Sequence, residues 1–341
     1  MEQTSDKDVI EKEVETVDQI SQETHTQTES ESDKPIVDLI VNGASNLKTL
    51  IYIWKSLSST FVLNFTKEMI YSNTRNRTNT ITINLEIHEK NILKYDFDAR
   101  RLIGEDSSTE DLNEVCMIGA VQTNDLEDKL KLCGKGVNFA MSIWPDDSNL
   151  YFRQVGSDKG VLVIPLNPCS VQQYIPPPMP ENTIVRILTS DFVSSIKSAI
   201  PNGVEKINFI PFADGLHMTT LGSVGQIVGH TAFGNCTTKY GENKSNKSDE
   251  VVRNLIRDRF VKEKRDSDKA KILIKRSTTP HMVTVEVSEI KSFSRLSSVS
   301  PESSMIRVFY NAEKRVLMLE GPVGTYGTYR VYLQNKKVGA K

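Results

Sequence analysis

The sequence predicts an α+β protein in which helices cover one face of antiparallel sheets. Short amphipathic helices alternate with groups of strands, and the same series of elements occurs in both halves of the chain. A proline-rich segment lies between these halves. With 341 residues, 38% of them hydrophobic, the chain is long enough for two domains, each with its own core.

The first 36 residues are predicted to form a disordered acidic tail. Residues 1–35 hold 11 Asp and Glu against three Lys, a net charge of −8, and they contain no aromatic residue. Such a segment buries too little apolar surface to offset the entropy lost on ordering. It would keep the protein in solution, and it could also repel stray nucleic acid or display phosphorylation sites. Residues 36–341 hold 39 Lys and Arg against 33 Asp and Glu, so the folded part is mildly basic.

The first half, residues 37–166, contains two predicted helices. In Asn46–Leu57 apolar residues recur every three or four positions, which leaves Lys48 and Lys55 on the opposite face. Asn124–Cys133 has a similar apolar stripe and directs Lys129 outward. Period-two alternation and β-branched residues predict the strands. These are Phe61–Phe65, Glu68–Ser72, Ile81–Ile87, Ile92–Phe97, Val115–Val121, Val137–Ile143, Leu150–Val155 and Val161–Leu166. A polar loop, Gly104–Asp111, precedes the fifth of them.

A connector, residues 167–182, separates the halves. Its sequence is NPCSVQQYIPPPMPEN, with five prolines. Proline cannot continue a helix or donate a ladder hydrogen bond, so we expect an extended and partly polyproline conformation.

The second half, residues 183–336, repeats the plan of the first. It contains the predicted helices Asp191–Ile200 and Ser288–Val299. Three strands are expected through Phe233, and later ones at Ile272–Lys275, Val283–Val287, Met305–Tyr310, Arg315–Glu320 and Tyr326–Leu333. Between these groups lies a charged insertion at about residues 239–270. Residues 239–276 hold 13 basic and seven acidic side chains, which is typical of a surface insertion, although a second contact with DNA or a partner is an alternative.

Several classes of chemistry find no support in the sequence. No apolar stretch is long enough to span a membrane, so we expect a soluble intracellular protein. The four cysteines and five histidines have no metal-ligand spacing, and no metal or cofactor is expected. GPVGTYG at 321–327 has spaced glycines but precedes no helix, which argues against a phosphate-binding loop. We therefore expect a protein that is not an enzyme.

Four segments, in this order, resemble the proliferating cell nuclear antigen (PCNA) family of DNA polymerase sliding clamps. SVQQYIPPP occupies the place of that family's interdomain connecting loop, and ADGLHMTTLGSVGQIVGHTAF is similar to its second-domain hairpin. ILIKRSTTPHMVTVEVSEIKSFSRLSSVSPESSMIRV and the terminal TYGTYRVYLQNK are similar to its last helix and closing strand. The resemblance covers about residues 40–336. It implies the two-domain clamp fold, in which helices line the inner face of a ring. The divergence from that family, the acidic tail and the insertion suggest a large DNA virus or a divergent eukaryote as the source.

The resemblance implies that the outward cations of the four helices contact duplex DNA. Phosphate contacts supply affinity without reading sequence, so a ring around DNA needs Lys and Arg on its inner face. The candidates are Lys48, Lys55, Lys129, Lys131, Lys197, Lys291 and Arg295. Ser194 and Ser298 stand where the family has basic residues. The alternative is that these lysines simply form the solvated face of amphipathic helices.

The resemblance also implies a pocket for partner peptides and an interface between subunits. Apolar anchors carry most of the binding energy in such pockets. The pocket candidates are Val171, Tyr174, Ile175, Pro176, Tyr332 and Leu333. The alternative is that the connector is only a spacer. Edge strands at both ends of a two-domain crescent would pair head to tail, and the interface candidates are Val161, Val163, Ile227, His230 and Ala232.

The implied function is that of a homotrimeric processivity factor for DNA replication and repair. It would encircle double-stranded DNA, tether a DNA polymerase and other proteins with clamp-binding peptides, and be placed on DNA by an ATP-driven clamp loader. We expect it in the nucleus or in a viral replication compartment. Two alternatives remain open: a subunit of a heterotrimeric checkpoint-type clamp, and a clamp-like transcription or interaction scaffold that does not encircle DNA.

Overall fold

Three antiparallel sheets and a layer of short helices make up the described part of the chain. The computed structural model describes residues 34–103, 115–132, 134, 136–145, 147–156, 160–169, 175–200, 203–237 and 281–336. The predicted acidic tail (except its last residues), the loop Gly104–Asp111, the insertion at 239–270 and the strand Ile272–Lys275 lie outside these ranges.

The strands come in two groups. In the first half they are β1 (Val37–Val41), β2 (Thr60–Phe65), β3 (Met69–Arg75), β4 (Ile81–His88), β5 (Lys94–Phe97), β6 (Met117–Gln122), β7 (Phe139–Ile143), β8 (Asn149–Gln154) and β9 (Leu162–Pro165). They continue with β10 (Asn167–Pro168), β11 (Val185–Leu188), β12 (Val204–Phe212), β13 (Gly215–Gly222), β14 (Ile227–Gly234), β15 (Val283–Glu286), β16 (Met305–Asn311), β17 (Val316–Val323) and β18 (Gly327–Gln334).

The helices are α1 (Ala44–Lys55), α2 (Arg100–Ile103), α3 (Thr123–Lys131), α4 (Thr189–Ala199) and α5 (Val287–Ile290). A 3-10 helix, Lys291–Ser298, continues directly from α5, and a shorter one spans Glu89–Asn91. The apolar stripes predicted from the sequence are the buried faces of α1, α3 and α4. They pack on the sheets in one continuous hydrophobic core that contains Trp54, Phe192 and Phe293.

The strand order joins the two halves of the chain through one sheet. A five-stranded sheet, β5-β1-β7-β8-β9, comes from the first half, and a four-stranded sheet, β14-β13-β12-β15, comes from the second. The nine-stranded sheet takes strands from both halves, in the order β10-β6-β2-β3-β4-β18-β17-β16-β11. The halves meet where β4 pairs with β18, over seven residue pairs from Ile81↔Leu333 to Ile87↔Gly327.

The pairing pattern of the first half recurs in the second. Strand β2 pairs with β3 and β6, as β12 pairs with β13 and β15. Strand β1 pairs with β7, as β11 pairs with β16, and the ribbons β7-β8-β9 and β16-β17-β18 correspond. By this correspondence β14 is the counterpart of β4, and β9 is the counterpart of β18. The internal repeat inferred from the sequence is thus a repeat of hydrogen-bonded topology.

The structure differs from the element-by-element predictions in a few places. The predicted helix Ser288–Val299 is one short α-helix followed by the 3-10 helix, because its apolar residues Ile290, Phe293 and Leu296 fall every three positions, which matches three residues per turn. Strands β1 and β11 were not predicted, although each directly precedes a predicted helix. Within the described ranges, no helix combines the length and apolar character needed to cross a membrane.

Candidate functional site

Four helical segments lie side by side and form one layer across both halves of the chain. Helix α1 packs against α3 on one side and against the 3-10 helix Lys291–Ser298 on the other, and the 3-10 helix packs against α4. The buried stripes of these segments face the sheets, so their opposite faces share one surface, which we call the helical surface. The seven cations predicted from the sequence belong to these segments.

Two of those cations are held by a carboxylate of α3. Lys55 Nζ lies 2.7 Å from Glu127 Oε2, and Lys131 Nζ lies 3.3 Å from Glu127 Oε1 and 2.8 Å from Asp128 Oδ1. The Glu127 side chain is only 9% exposed. The hydrogen bond from Lys55 is the largest cause that lowers the Glu127 pKa, and the bond from Lys131 adds to it. Part of the positive charge of the helical surface is therefore compensated within the protein.

Arg295 is held by an aromatic ring of α1. Its guanidinium carbon lies 3.9 Å from the centroid of the Tyr52 ring, which is the geometry of a cation–π contact. Tyr52 lies between Lys48 and Lys55 on the same helical face, four and three residues away. The contact fixes Arg295 above α1 and keeps its charge at the surface.

The remaining four cations have no ion-pair partner in the described part of the chain. Lys197 and Lys291 are exposed, and Lys48 and Lys129 are partly exposed. Together with Arg295 they supply five cations without an ion-pair partner among the described residues, next to the exposed Asp125 and Asp191 of the same helices. This is the arrangement that sequence-independent contact with phosphates requires. Sequence reasoning found the cations but missed Glu127, because an acidic residue on an amphipathic helix has no pattern that distinguishes an ion-pair partner from a solvated side chain.

A separate apolar cluster lies on the opposite face of the nine-stranded sheet. Phe309, Met318 and Tyr332 are direct cross-strand neighbours on β16, β17 and β18, and Val316 completes the cluster. All four are buried, and Met179 of the connector packs against them. We call these four residues the outer pocket. The sequence analysis did not identify Phe309, Met318 and Val316. Strands β16 and β17 are apolar on both faces, so the alternation of apolar and polar residues along them is weak.

The predicted pocket residues do not all lie at the same place in the structure. Tyr332 belongs to the outer pocket, whereas Leu333 lies in the main core on the opposite face of β18, since neighbouring residues of a strand point to opposite sides. Ile175 is 85% exposed and Pro176 is partly buried. Val171 and Tyr174 lie outside the described residues.

Charged side chains form a row beside the outer pocket. Glu320, which is buried, is paired with Arg307 and accepts a 2.7 Å hydrogen bond from Arg330 Nε. Arg330 also pairs with Glu86, so the row crosses the joint between β18 and β4. The halves of the chain are thus linked by side chains as well as by the backbone ladder.

The five predicted interface residues lie on or beside two strands that end their sheets. Strand β9 is the last strand of the five-stranded sheet and β14 is the last of the four-stranded sheet. Val161 is 55% exposed and Val163 is 39% exposed. On β14, His230 is exposed, and Ile227 and Ala232 are partly exposed.

The hydrogen bonding of β9 leaves a donor at its free side. Leu166 N–H donates to the Ser148 carbonyl, so Ile164 and Leu162 also direct their backbone groups toward β8. Val163 and Pro165 therefore direct theirs away from the sheet. Proline lacks the N–H group, which makes Val163 the residue of β9 that can donate to an added strand.

Among the described residues, no group of three or more neighbouring His, Cys, Asp or Glu side chains is placed so that it could hold a metal ion.

Comparison with known proteins finds similarity at the level of structure. No family model matches the chain, and no curated protein matches it in sequence. It is similar to a chain of the PCNA2–PCNA3 complex of Sulfolobus tokodaii, with 12% identity and a TM-score of 0.58 over 87% of this chain and 98% of that one. It is also similar to PCNA of Thermococcus kodakaraensis, with 13% identity and a TM-score of 0.57 over 87% and 99%.

A third similar structure is A. fulgidus PCNA bound to the C-terminal region of FEN-1. Its identity is 13% and its TM-score 0.55, over 89% of this chain and all of that one. All three matches extend over nearly the whole of the known chains. The α+β fold inferred from the sequence is confirmed, and this chain has the fold of the PCNA sliding clamps.

Proposed function

We propose that the chain is a subunit of a sliding clamp that encircles double-stranded DNA and tethers a DNA polymerase and other replication and repair proteins. The proposal rests on a relation between two kinds of strand. One is the strand pair that joins the two halves of the chain, which we call the internal joint, and the other is the last strand of each of the two smaller sheets. Strand β4 pairs with β18 inside the chain, and their counterparts β14 and β9 are the last strands of their sheets. Pairing β14 of one copy with β9 of the next would repeat the internal joint.

Such pairing is head to tail, because it uses two different edges of the chain. A head-to-tail contact produces a closed ring when its rotation closes, and closure removes the unpaired edges that would otherwise invite aggregation. The resemblance to PCNA implies three two-domain subunits, with domains at residues 37–166 and 183–336. The exposed apolar residues Val161, Val163 and Val228 on or beside these two edges support an association that covers them.

The helical surface would line the hole of the ring. Four cations without ion-pair partners in the described residues, together with Arg295, support contact with phosphates. Because Glu127 compensates Lys55 and Lys131, the contact would be weak, which suits a protein that is retained by enclosure and must move along DNA.

The outer pocket would receive an apolar side chain of a partner peptide. Its support is a buried apolar cluster at the surface of the sheet, beside the connector, together with the FEN-1 complex of the similar A. fulgidus protein. A DNA polymerase and an ATP-driven clamp loader are the further partners that we propose. The protein would need no cofactor, would perform no chemistry itself, and would act in the nucleus or a viral replication compartment.

The test of enclosure is retention on DNA of different topology. The full chain is loaded onto nicked circular DNA with a matching clamp loader, and the complexes are separated from free protein by gel filtration. We expect the protein to remain on the circles and to be lost when a restriction enzyme cuts them at one site. Equal retention on circular and cut DNA would contradict enclosure and favour a clamp-like transcription or interaction scaffold.

A second candidate is a subunit of a ring built from different chains, of the heterotrimeric checkpoint type. The observation in its favour is that the similar Sulfolobus tokodaii structure is a complex of PCNA2 with PCNA3. Native mass spectrometry of the purified chain separates the two candidates. A mass of three chains supports the homotrimer, whereas a single chain that assembles only with another protein of the same source supports the second candidate.

A further inference from the structure

We infer that the outer pocket is filled in the free protein by Met179 of the same chain, so that a partner peptide must displace this side chain to bind. The inference rests on the proposed function of the pocket and adds a regulatory step to it. The connector would then act as an internal competitor rather than only as a spacer or a roof.

The contacts of the connector are specific to the region around Met179. Met179 is partly buried and packs against the cluster that forms the outer pocket. Ile175, four residues earlier, is 85% exposed. The connector therefore places the Met179 side chain in the pocket and leaves that of Ile175 in solvent.

A hydrogen bond fixes the backbone next to Met179. Asn311 Nδ2 donates to the Pro178 carbonyl at 2.7 Å. Asn311 lies at the end of β16, two residues beyond Phe309 of the pocket. The bond holds the connector over the ends of β16 and β17, where Asn311 pairs with Val316.

The prolines around Met179 reduce the entropy lost when it binds. Prolines 176, 177, 178 and 180 fix their own φ angles and restrict the residues that precede them. A segment that is already stiff loses less conformational freedom on docking than a flexible one. Methionine is unbranched and polarizable, and it fills irregular apolar sites well without a unique fit, which suits a side chain that must also leave.

The consequence for affinity follows from competition. A ligand that binds only the open pocket has an apparent affinity reduced by the fraction of molecules in which the pocket is open. Removal of the methionine side chain should therefore strengthen binding of a peptide anchor by roughly three- to ten-fold. A partner with a larger or better fitting anchor would face the same penalty and still bind.

The first experiment measures whether Met179 occupies the pocket in the absence of any partner. The full chain is treated with dilute hydrogen peroxide, and the oxidation rate of each methionine is followed by peptide mapping. Met305, which is 49% exposed on the same sheet, is the internal reference. We expect Met179 to oxidise several-fold more slowly than Met305, and Asn311→Ala to reduce the difference. Equal rates in the wild-type chain would overturn the inference.

The second experiment measures competition with a defined probe. A fluorescein-labelled peptide of the C-terminal region of FEN-1, as bound to A. fulgidus PCNA, is titrated with the wild-type, Met179→Ala and Met305→Ala chains. We expect Met179→Ala to bind the peptide three- to ten-fold more tightly than the wild type, with Met305→Ala unchanged. Equal affinity of the wild type and Met179→Ala would show that no competition takes place.

The two experiments also separate this inference from the proposed function. If no variant binds the peptide, the partner pocket fails and the competition fails with it, whereas the oxidation rates still decide whether Met179 fills the pocket. If the peptide binds all variants alike while Met179 is protected, the peptide uses another surface, and the internal competitor is rejected. Thermal unfolding of each variant checks that the fold is retained.

Discussion

Lys55 and Glu127 join two neighbouring helices by an ion pair, with Nζ and Oε2 2.7 Å apart. Lys55 ends α1, and Glu127 lies on the buried side of α3, so the lysine leans across the helical surface rather than away from it. The same carboxylate also pairs with Lys131. A surface proposed to face DNA thus contains an anion that competes with phosphate for two of its cations.

Replacing Glu127 with Gln should strengthen binding to DNA. The substitution keeps the size of the side chain, replaces two acceptor oxygens by one, removes one negative charge and frees Lys55 and Lys131 for phosphates. We expect an affinity for short duplex DNA that is roughly three- to ten-fold higher at low salt, with the difference shrinking as salt is added. Fluorescence anisotropy at several salt concentrations measures both effects. Glu181→Gln, an exposed charge on the connector, is the matched control and should have no effect.

Acid should remove the stability that the Glu127 ion pairs contribute. The pKa of Glu127 is lowered in the folded protein, chiefly by the hydrogen bond from Lys55. A lowered pKa means that the contribution is complete above the unfolded-state pKa and is lost as the pH falls through the folded-state pKa. We expect the wild type to be more stable than Glu127→Gln at neutral pH, and the difference to shrink as the pH falls below the unfolded-state pKa of about 4.3. Urea unfolding from pH 3 to 7 measures it, and a constant difference would contradict the assignment.

Removing the unpaired cations should weaken DNA binding and reduce its salt dependence. Removing one phosphate contact lowers the slope of log K against log salt by about 0.9. We therefore expect Lys48→Ala with Lys291→Ala to lower the slope by up to about two, if both contact phosphates. Lys314→Ala, an exposed cation in the turn between β16 and β17, is the control for net charge. The control loses one charge and the test protein two, so a decrease half as large in Lys314→Ala would mean that only the overall charge matters.

Val163→Pro should prevent assembly without unfolding the chain. Val163 is the residue of β9 whose N–H is directed away from the sheet, so proline at this position removes a hydrogen bond to an added strand but none to β8. Val163→Ala keeps the N–H and serves as the matched control. We expect monomers of the proline variant in sedimentation at micromolar concentration and a ring for the alanine variant. Assembly of both variants would place the interface elsewhere.

Glu320→Ala should destabilise the joint between the halves. This buried carboxylate lies between Arg307 and Arg330, and its removal leaves both guanidinium groups without that partner. Breaking a buried pair on one side costs about 3–5 kcal/mol, and the partial exposure of the arginines reduces this to about 1–3 kcal/mol. Chemical unfolding should show this decrease, whereas Glu313→Ala, an exposed acid in the turn before β17, should change stability by less than about 0.5 kcal/mol.

The helices and the internal repeat could be predicted because their signals are local. Apolar residues every three or four positions place Trp54, Phe192 and Phe293 in the core, as observed. The same periodicity does not separate an α-helix from a 3-10 helix when the spacing is three, as in Lys291–Ser298. Strands β1 and β11, of five and four residues, were not predicted, although other strands of this length were.

The parts of the candidate site that could not be predicted depend on distant contacts. Glu127 and Lys55 are 72 residues apart, and nothing in either helix specifies the pairing. The outer pocket is formed by residues on three strands together with the connector, which a single sequence does not align. Leu333 was assigned to the pocket from the resemblance, but alternation along β18 directs it into the core.

If the chain assembles as proposed, the lengths of the strand pairings within and between subunits determine where the ring opens. Inside the chain β4 and β18 share seven residue pairs and the contact between Arg330 and Glu86, whereas β9 offers a neighbouring copy only the four residues Leu162–Pro165. The proposed ring would then open at the short strand pairing between two subunits rather than within a subunit. In the proposed ring, lengthening β9 by a few residues should slow spontaneous escape from circular DNA, and shortening it should hasten escape, so the dwell time would depend on a segment that does not contact DNA.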